Sequence, residues 1–403
     1  MLRRLALVAT ASLAVAAANA HASAGSLDHA LAGALAVPGI SSSTSTAIAV
    51  DLPSGRILFA RNPDLPLEPA SNEKLSVTYA ALVELGPTFR FPTEVLGEGH
   101  QVGSTWEGRL VLKGFGDPSL TSEGLSQLVQ LLWQQGIRRV TGGIVGDESW
   151  FDDKRTAPGW LPSFAGTESP PISALVVDRA VRNGRLVADP ALAAAAEFDH
   201  LLRKRGIIAR GAGTGRARPS AVTLATIDSA PLSDVLAFMD HESDNFTAEM
   251  VLKSVGAIAI GKGTTAAGAA VTRRDLEVAG IPLAGVRIVD GSGLSRLDRV
   301  TGRELSSLLV LIWTSPALES IVDDALPLAG ESGTLVDRML TGPAHGLVRA
   351  KTGTTDIASA LSGYVGSSYA FVTIENGHPV DVWAAHTAQD AFANALEADA
   401  TNS

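Results

Sequence analysis

The sequence predicts an α/β protein in which a largely β domain is inserted into a domain of mixed helices and strands. Apolar runs over Thr46–Asp51 and Gly55–Ala60 flank a Pro-Ser-Gly turn, which predicts a β-hairpin. Ser71–Leu85 then carries apolar residues at the i, i+4, i+7 spacing of a helix face and ends at a Gly-Pro stop signal, so we expect a helix that begins at the serine. After these elements the sequence changes to short strand-like runs separated by turn residues, which predicts where the inserted domain begins.

The inserted domain is predicted from about residue 94 to residue 222. Short strand-like runs, such as Arg109–Lys113 and Gly143–Val145, dominate this stretch, and clusters of Gly, Pro and Asp separate them. A single helical pattern lies within it, around Ala191–Arg205. We therefore expect residues 94–222 to form a largely β domain with one helix.

The rest of the chain, from Ala225 onward, combines helical and strand-like patterns. The predicted elements are helices over Pro231–Met239, Phe246–Ile258, Arg303–Trp313 and Leu335–Leu340, and strands over Gly346–Thr354 and Ala358–Val365. We assign residues 26–93 and 223–403 to one domain, which residues 94–222 interrupt.

Composition and charge limit the functions that the chain can serve. Its 403 residues are 46% hydrophobic and 18% charged, as in a folded globular protein. With 32 Lys and Arg against 42 Asp and Glu, the net charge is −10, the opposite of a surface that attracts nucleic acid or anionic lipid. The absence of cysteine excludes thiol catalysis, disulfides and cysteine-ligated metal centres. An anionic substrate would need a few local cations.

The first 24 residues are typical of a secretory signal peptide. Arg3 and Arg4 precede an apolar run over Leu5–Ala18, and small-residue cleavage sites follow before residue 25. The apolar run is shorter than the ~20 residues that span a bilayer, which argues against a membrane anchor. We therefore expect removal of residues 1–24 and export of a soluble mature chain without an integral membrane span, to the periplasm or another extracytoplasmic place at the cell wall.

A serine and a lysine lie three residues apart in the first turn of the helix that begins at Ser71. This spacing places the Ser71 hydroxyl and the Lys74 ammonium on one helix face. The helix N-terminus also offers unpaired amides and partial positive charge to a developing anion. Taken alone, the pair has an ordinary alternative, in which Ser71 caps the helix and Lys74 is a solvated surface residue.

Two further polar motifs lie at the ends of predicted elements. Ser243-Asp244-Asn245 precedes a helical stretch, where it could serve as a cap or could supply a proton relay and an amide-binding side chain. Lys351-Thr352-Gly353-Thr354 ends a predicted strand, where it could be a plain turn or a sheet edge that offers a cation, hydroxyls and a backbone amide. In the second case, Gly353 would let a substrate backbone approach closely.

The three motifs occur together, in this order and on the expected element types, which makes the set far more specific than its parts. They are the S-x-x-K, S-D-N and K-T-G motifs of penicillin-binding proteins and class A β-lactamases. Ser71 and Ser243 are 172 residues apart, more than a class A β-lactamase allows, and the surplus coincides with the predicted insertion. Over essentially the whole mature length, the chain resembles the low-molecular-mass class C penicillin-binding proteins, the D-alanyl-D-alanine carboxypeptidase/endopeptidase family. Supporting stretches are Pro69–Leu75, Gly116–Pro118, Ser173–Leu175, Ser243–Phe246 with Ala248-Glu249, Asp290–Arg296, Gly333–Leu335, Lys351–Thr354 and Ser359–Tyr364, whereas Thr355-Asp356-Ile357 departs from the family pattern.

The resemblance implies a penicillin-recognising serine D,D-peptidase domain, with an antiparallel sheet flanked by helices. It also implies acyl transfer through a covalent intermediate. The implied catalytic residues are Ser71 as the nucleophile, Lys74 as its base and Ser243 as the carrier of the proton to the leaving amine. For Lys74 to be neutral, burial and a second cation, Lys351, should lower its pKa.

Substrate-binding roles follow from the same resemblance. Asn245 is expected to hold an amide of the substrate, and Lys351, Thr352 and Thr354 are expected to receive the terminal carboxylate. The backbone amides of Ser71 and Thr354 would form the oxyanion hole.

The implied substrates are peptidoglycan stem peptides that end in D-Ala-D-Ala, and β-lactam antibiotics would acylate and inhibit the enzyme. The resemblance implies no cofactor, no metal and no nucleic-acid partner. Two alternatives stay open: a β-lactamase of the same fold, which would turn penicillin over, and a non-catalytic cell-wall binding protein. We expect Asp290–Arg296 to be a glycine-rich turn with a structural role.

Overall fold

The computed structural model describes residues 25–402. The predicted signal peptide, residues 1–24, lies outside the described residues. The chain divides into two compact units. Unit 1 comprises the residues up to Asn72, Val300–Glu319 and the residues from Leu326, and unit 2 comprises Glu73–Arg299 and Ser320–Ala325. Between residues 25 and 402, no helix combines the length and the apolar character needed to cross a membrane.

Strands and helices are interspersed over residues 25–402, except that five consecutive helices lie between the tenth and eleventh strands. The strands are β1 (Ser45–Asp51), β2 (Ile57–Arg61), β3 (Pro92–Val102), β4 (Thr105–Gly114), β5 (Arg139–Val140), β6 (Ile144–Asp147), β7 (Val181–Arg182), β8 (Arg185–Leu186), β9 (Ala212–Thr214), β10 (Val222–Asp228), β11 (Val348–Thr354), β12 (Ala358–Val365) and β13 (Tyr369–Asn376). The helices are α1 (25–34), α2 (Glu73–Glu84), α3 (Ser122–Gln134), α4 (Pro190–Lys204), α5 (Leu232–His241), α6 (Asn245–Ile260), α7 (Thr265–Val278), α8 (Gly302–Trp313), α9 (Glu319–Ala325) and α10 (Val382–Asn402).

Unit 1 is built on a five-stranded antiparallel sheet with the strand order β11-β12-β13-β1-β2. The predicted hairpin is confirmed, because β1 and β2 pair antiparallel. The two strands predicted near the C-terminus are confirmed as β11 and β12, with Lys351 opposite Ser362. Helix α10 covers one face of the sheet, where Phe392 packs edge-on against Phe59 with ring centroids 5.7 Å apart. The motif-bearing strand β11 is thus an edge strand of a sheet with a packed core.

Unit 2 contains a six-stranded sheet with the path β10-β3-β4-β6-β9 and β5 beside β4. Strands β3 and β4 pair antiparallel, whereas β6 runs parallel to both β4 and β9. Helices α3 and α4 pack on this sheet through a core that includes Leu112, Leu128 and Phe198. The expectation of one helix in the stretch 94–222 is wrong. Helix α3 also lies there, because its buried residues Leu125, Leu128, Val129 and Leu132 form an apolar face at helical spacing.

The predicted helix Ser71–Leu85 is present, but it begins later and is buried on more sides than expected. A 3₁₀ turn, Ala70–Asn72, precedes α2, with the Asn72 backbone N–H donating to the Pro69 carbonyl at 3.2 Å. Every residue from Glu73 to Leu82 is buried, since α2 packs against α5, α6 and α7 within unit 2. The predicted amphipathic helix is therefore a core helix.

Of the other helices predicted after residue 225, three are confirmed and one is wrong. Those over Pro231–Met239, Phe246–Ile258 and Arg303–Trp313 are confirmed as α5, α6 and α8. The helix predicted over Leu335–Leu340 is wrong, because Met339 has a left-handed φ of 52°, which an α-helix does not accommodate. Helices α7 and α10 were not predicted, since their many alanines give a weak hydrophobic period.

Candidate active site

Unit 1 holds Ser71 against strand β11. Ser71 is half-buried in the 3₁₀ turn, and the neighbouring Asn72 side-chain amide donates to the Lys351 carbonyl at 3.1 Å. A Cβ on Gly353 would lie 2.9 Å from the Ser71 nitrogen and 3.0 Å from the Pro69 carbonyl oxygen. The approach of the protein's own backbone therefore requires glycine at position 353. Its role toward a substrate stays a prediction.

The side chains of the Lys351–Thr354 motif differ sharply in exposure. Lys351 is fully buried, and its Nζ donates to the Thr352 carbonyl at 2.9 Å. Thr352 is buried too, with its Oγ1 donating to Thr334 Oγ1 at 2.6 Å. Thr354, at the end of β11, is exposed. The motif thus combines a buried cation with an exposed strand end, all within unit 1.

Lys74 lies in unit 2, where its side chain is fully buried. Its Nζ donates to Asn245 Oδ1 at 2.8 Å and to the Ser292 carbonyl at 2.7 Å. Burial lowers the pKa of Lys74 to about 8, although surrounding carboxylates favour its charged form. These carboxylates belong to Asp290, Asp240, Asp244 and Glu249. The alternative of a solvated surface lysine is excluded, and the expected effect of burial is confirmed. The effect assigned to Lys351 stays a prediction.

Asp244 caps the helix that carries Asn245. The Asp244 carboxylate accepts from the Thr247 backbone N–H at 2.8 Å and from the Arg179 guanidinium at 3.2 and 2.7 Å. Burial opposes ionisation, but the bonds from Arg179 hold the pKa of Asp244 below its usual value. The capping interpretation of the motif is therefore correct for Asp244, and the cap fixes the first turn that aims Asn245 at Lys74.

Asn245 and Ser243 flank this cap, and they differ in how they are held. The Asn245 side chain accepts from Lys74 and donates from Nδ2 to the Glu168 carbonyl at 3.1 Å. Ser243 is half-buried, and its backbone has a left-handed φ of 58°. Unit 2 thus joins Asn245 to Lys74 directly, whereas no hydrogen bond links Ser243 to Lys74 among the described residues.

Asp290 organises the glycine-rich turn that supplies the second acceptor for Lys74. Its carboxylate accepts from the backbone N–H groups of Gly293 at 2.7 Å and Ser295 at 2.8 Å, and from Trp160 Nε1 at 2.7 Å. The predicted structural turn is present, but its role is wider than expected, because the Ser292 carbonyl binds Lys74.

Glu249 fastens the same turn from helix α6. Its Oε1 accepts from the backbone N–H groups of Gly291 and Ser292, each at 2.9 Å. Burial and the nearby Asp290 carboxylate raise the pKa of Glu249 well above its usual range. Glu249 belongs to a stretch that supports the family resemblance, but the sequence predicted no role for its side chain. Its position four residues after Asn245, on the same helix face, was the available signal.

The fold and these residues define a peptidase of the low-molecular-mass class C penicillin-binding type, built from mixed helices and strands. The antiparallel sheet flanked by helices, the additional sheet-rich region and the three motifs, each at an element end, are its features. Residues 27–186 and 179–399 match the D-Ala-D-Ala carboxypeptidase 3 (S13) family, and the chain belongs to this family. It is therefore a peptidase.

Known proteins similar to the chain agree with this assignment. A D-alanyl-D-alanine carboxypeptidase of Actinomadura sp. (strain R39) is 30% identical over 426 residues, covering 85% of this chain and 79% of that protein. A carboxypeptidase of Mycobacterium tuberculosis is 34% identical over 358 residues, covering 81% of this chain and 75% of that protein. The solved structure of penicillin binding protein 4 from Haemophilus influenzae has a TM-score of 0.79 at 23% identity, and the match covers 91% of this chain and 98% of that protein. This likeness confirms the predicted fold class.

Proposed function

We propose that the chain is a serine-type D-alanyl-D-alanine carboxypeptidase/endopeptidase that acts through an acyl-enzyme on Ser71. The observation that carries the proposal is the burial of Lys74, which lowers its pKa to about 8. At that pKa, a substantial fraction of Lys74 is neutral near pH 7.5, and a neutral amine can accept a proton from a serine hydroxyl. Ser71 precedes Lys74 by three residues and is the nucleophile of the proposal.

The proposed reaction has two steps. Ser71 Oγ attacks the carbonyl carbon of the penultimate D-Ala, and Lys74 Nζ takes the hydroxyl proton. The C–N bond then breaks, and Ser243 gives its hydroxyl proton to the departing nitrogen while it takes from Lys74 Nζ the proton that came from Ser71. The departing nitrogen belongs to the terminal D-Ala or to a cross-bridge amine. In the second step, water attacks the ester, the shortened peptide leaves as its acid, and Ser71 regains its proton.

The proposed binding roles use both polar motifs. Lys351, Thr352 and Thr354 receive the carboxylate of the terminal D-Ala, which gives a chain of net charge −10 a local cation for an anionic substrate. Asn245 binds a substrate amide, with its Nδ2 exchanging the Glu168 carbonyl for a substrate carbonyl. The backbone amides of Ser71 and Thr354 stabilise the oxyanion.

We further propose that the enzyme acts on peptidoglycan stem peptides outside the cytoplasm, after removal of residues 1–24. The basic, apolar and small-residue pattern of these residues supports export. We also propose that β-lactams acylate Ser71. Support comes from a second structure of the Haemophilus influenzae protein, which contains a bound β-lactam and has a TM-score of 0.73 with this chain.

The experiment is an intact-mass measurement of the protein after it is mixed with benzylpenicillin. We expect a lasting adduct of one drug molecule, located on the peptide that contains Ser71. Ser71→Ala should give no adduct, while Ser126→Ala, which alters an exposed serine of α3, should react like the wild type. In a separate assay without the drug, the wild type should release D-Ala from a stem peptide, and prior acylation by benzylpenicillin should stop this release.

The same experiment decides between the proposal and its two alternatives. Rapid loss of the adduct with release of hydrolysed drug would identify a β-lactamase. A protein that forms no adduct and cleaves no D-Ala-D-Ala peptide would be a binding protein. An adduct on any residue other than Ser71 would overturn the proposed mechanism.

A further inference from the structure

A cleft of about 430 Å³ lies within unit 2, apart from the residues proposed for acylation. Its walls come from the loop before α3, from a turn at Asp178 and Arg179, from one face of α5 and from Thr247 of α6. This volume falls within the about 300–1,000 Å³ range of small-molecule sites. Lys74, Ser243 and Asn245 of the same unit are not among its described lining residues.

The lining of the cleft is apolar at its base and includes an exposed aromatic ring. Leu120 and Val235 are buried there, beside Pro118. Phe238 also lines the cleft, and 49% of its surface is exposed. A large aromatic side chain exposed at a concave apolar surface is a feature of binding sites, because a ligand that covers it removes apolar surface from water.

The walls are held in place by hydrogen bonds, so the cleft is largely pre-formed. Arg179 is fixed by its two bonds to Asp244, at 3.2 and 2.7 Å. Asp178 accepts from the Ser122 backbone N–H at 3.1 Å, which ties the turn to the start of α3. A pre-formed cleft spares a ligand the cost of ordering its site.

The charges at the cleft select against anions. Asp178 and Asp234 contribute two carboxylates, and Arg179, the single cation among the described lining residues, is already paired with Asp244. The local balance is therefore negative, and an anionic ligand would be repelled.

From this geometry we propose that the cleft is a second ligand site, which binds a small apolar molecule that carries no anionic group. The proposal is independent of the peptidase reaction. It rests on the volume, the apolar base, the exposed Phe238 ring and the negative rim.

The experiment compares two fluorescent probes with the same ring skeleton. N-phenyl-1-naphthylamine is uncharged, and 8-anilinonaphthalene-1-sulfonate adds one sulfonate. We expect saturable binding of the uncharged probe to the full chain, at least about tenfold tighter than that of the sulfonate. No saturable binding, or equal or tighter binding of the sulfonate, would overturn the proposal.

Two variants locate the bound probe. Ala230→Trp places a large ring into the cleft from an exposed lining position, and Phe238→Ala removes the exposed ring of the lining, so the fold should tolerate both. Each should weaken binding of the uncharged probe at least about tenfold. Val278→Trp, at a residue of α7 that is 83% exposed and outside the cleft, should leave it within about twofold. Unchanged affinity in both cleft variants, with native circular dichroism, would place the probe elsewhere and reject the site.

Discussion

Lys74 Nζ donates to Asn245 Oδ1 at 2.8 Å, which joins the first turn of α2 to the first turn of α6 within unit 2. The Ser292 carbonyl accepts a second hydrogen bond from the same nitrogen at 2.7 Å. Both of these acceptors are neutral groups, and the side chain that they hold is fully buried. Burial therefore prevails, and the pKa of Lys74 falls to about 8.

The first prediction concerns the pH dependence of acylation. Because Lys74 must be neutral to act as a base, the second-order rate constant for benzylpenicillin should rise as pH increases through about 8 and then level off. Stopped-flow or quenched mass measurements between pH 6 and 9.5 give the profile. A rate that is constant across this range would show that Lys74 does not transfer the proton.

The second prediction is that Lys74→Arg acylates at least ~100-fold more slowly than the wild type, since arginine stays protonated and cannot serve as a base. The control is Lys262→Arg, at an exposed position, which should acylate normally. If Lys74→Arg acylates at the wild-type rate, Lys74 contributes only a positive charge and does not act as the base.

The third prediction is that Lys351 recognises the free carboxylate of the terminal D-Ala. Lys351→Ala should weaken cleavage of a free D-Ala-D-Ala peptide more than cleavage of the same peptide amidated at its C-terminus. A charge-assisted hydrogen bond contributes roughly 1.5–3 kcal/mol, so the preference for the free acid should drop about tenfold or more in kcat/KM. If Lys351 also lowers the pKa of Lys74, its loss slows cleavage of the free and the amidated peptide equally. The ratio of the two kcat/KM values is therefore not changed by that effect. If the ratio does not change, the carboxylate is bound elsewhere, with Arg296 as the first candidate.

The fourth prediction tests whether Glu249 acts through its hydrogen-bond acceptor oxygen or through its charge. Glu249→Gln keeps an acceptor oxygen for the Gly291 and Ser292 N–H groups, and should acylate within about threefold of the wild type. Glu249→Ala leaves these two buried N–H groups without their acceptor, each at a cost of about 1–3 kcal/mol. It should therefore lose thermal stability and, because the Ser292 carbonyl shifts, acylate at least about tenfold more slowly. Equal rates in the Ala and Gln variants would remove Glu249 from the positioning of Lys74.

The fifth prediction concerns stability and a carboxyl group far from the proposed chemistry. Glu375 is buried in unit 1, its Oε2 accepts from Gln389 Nε2 at 2.7 Å, and burial raises its pKa to about 8. The folded state therefore retains a proton that the unfolded chain loses above its ordinary pKa of 4.5. The free energy of unfolding should fall as pH rises from about 4.5 to about 8, by at most about 1.4 kcal/mol per pH unit.

Glu375→Gln should remove this contribution, because the amide cannot ionise and can still accept from Gln389. Urea unfolding at several pH values, compared with the exposed control Glu277→Gln, measures it. An unchanged slope in Glu375→Gln would mean that this carboxyl group ionises in the folded state as it does in the unfolded chain.

Many helices and strands could be predicted because their own residues contain the periodicity or the turn signal that defines them. The β1–β2 hairpin, the strands β11 and β12, and the helices α5, α6 and α8 each have an apolar period or a turn signal in their own residues. Helices α7 and α10 could not be predicted in this way, since alanine-rich segments gain their stability from packing rather than from a strong period. The division into residues 26–93 with 223–403, and 94–222, stays a prediction.

The sequence by itself determined which residues are the candidates for the chemistry, because Ser71, Lys74, Ser243, Asn245 and Lys351 belong to short motifs whose spacing is local. Only the tertiary structure decided the environment of Lys74. Its acceptors lie 171 and 218 residues further along the chain, and they come from a helix cap and a glycine-rich turn that folding brings to one place. The burial that lowers the pKa of Lys74 is likewise a property of the packed core, since it depends on how completely α5, α6 and α7 exclude water from α2. No local pattern of charges or spacings contains that information.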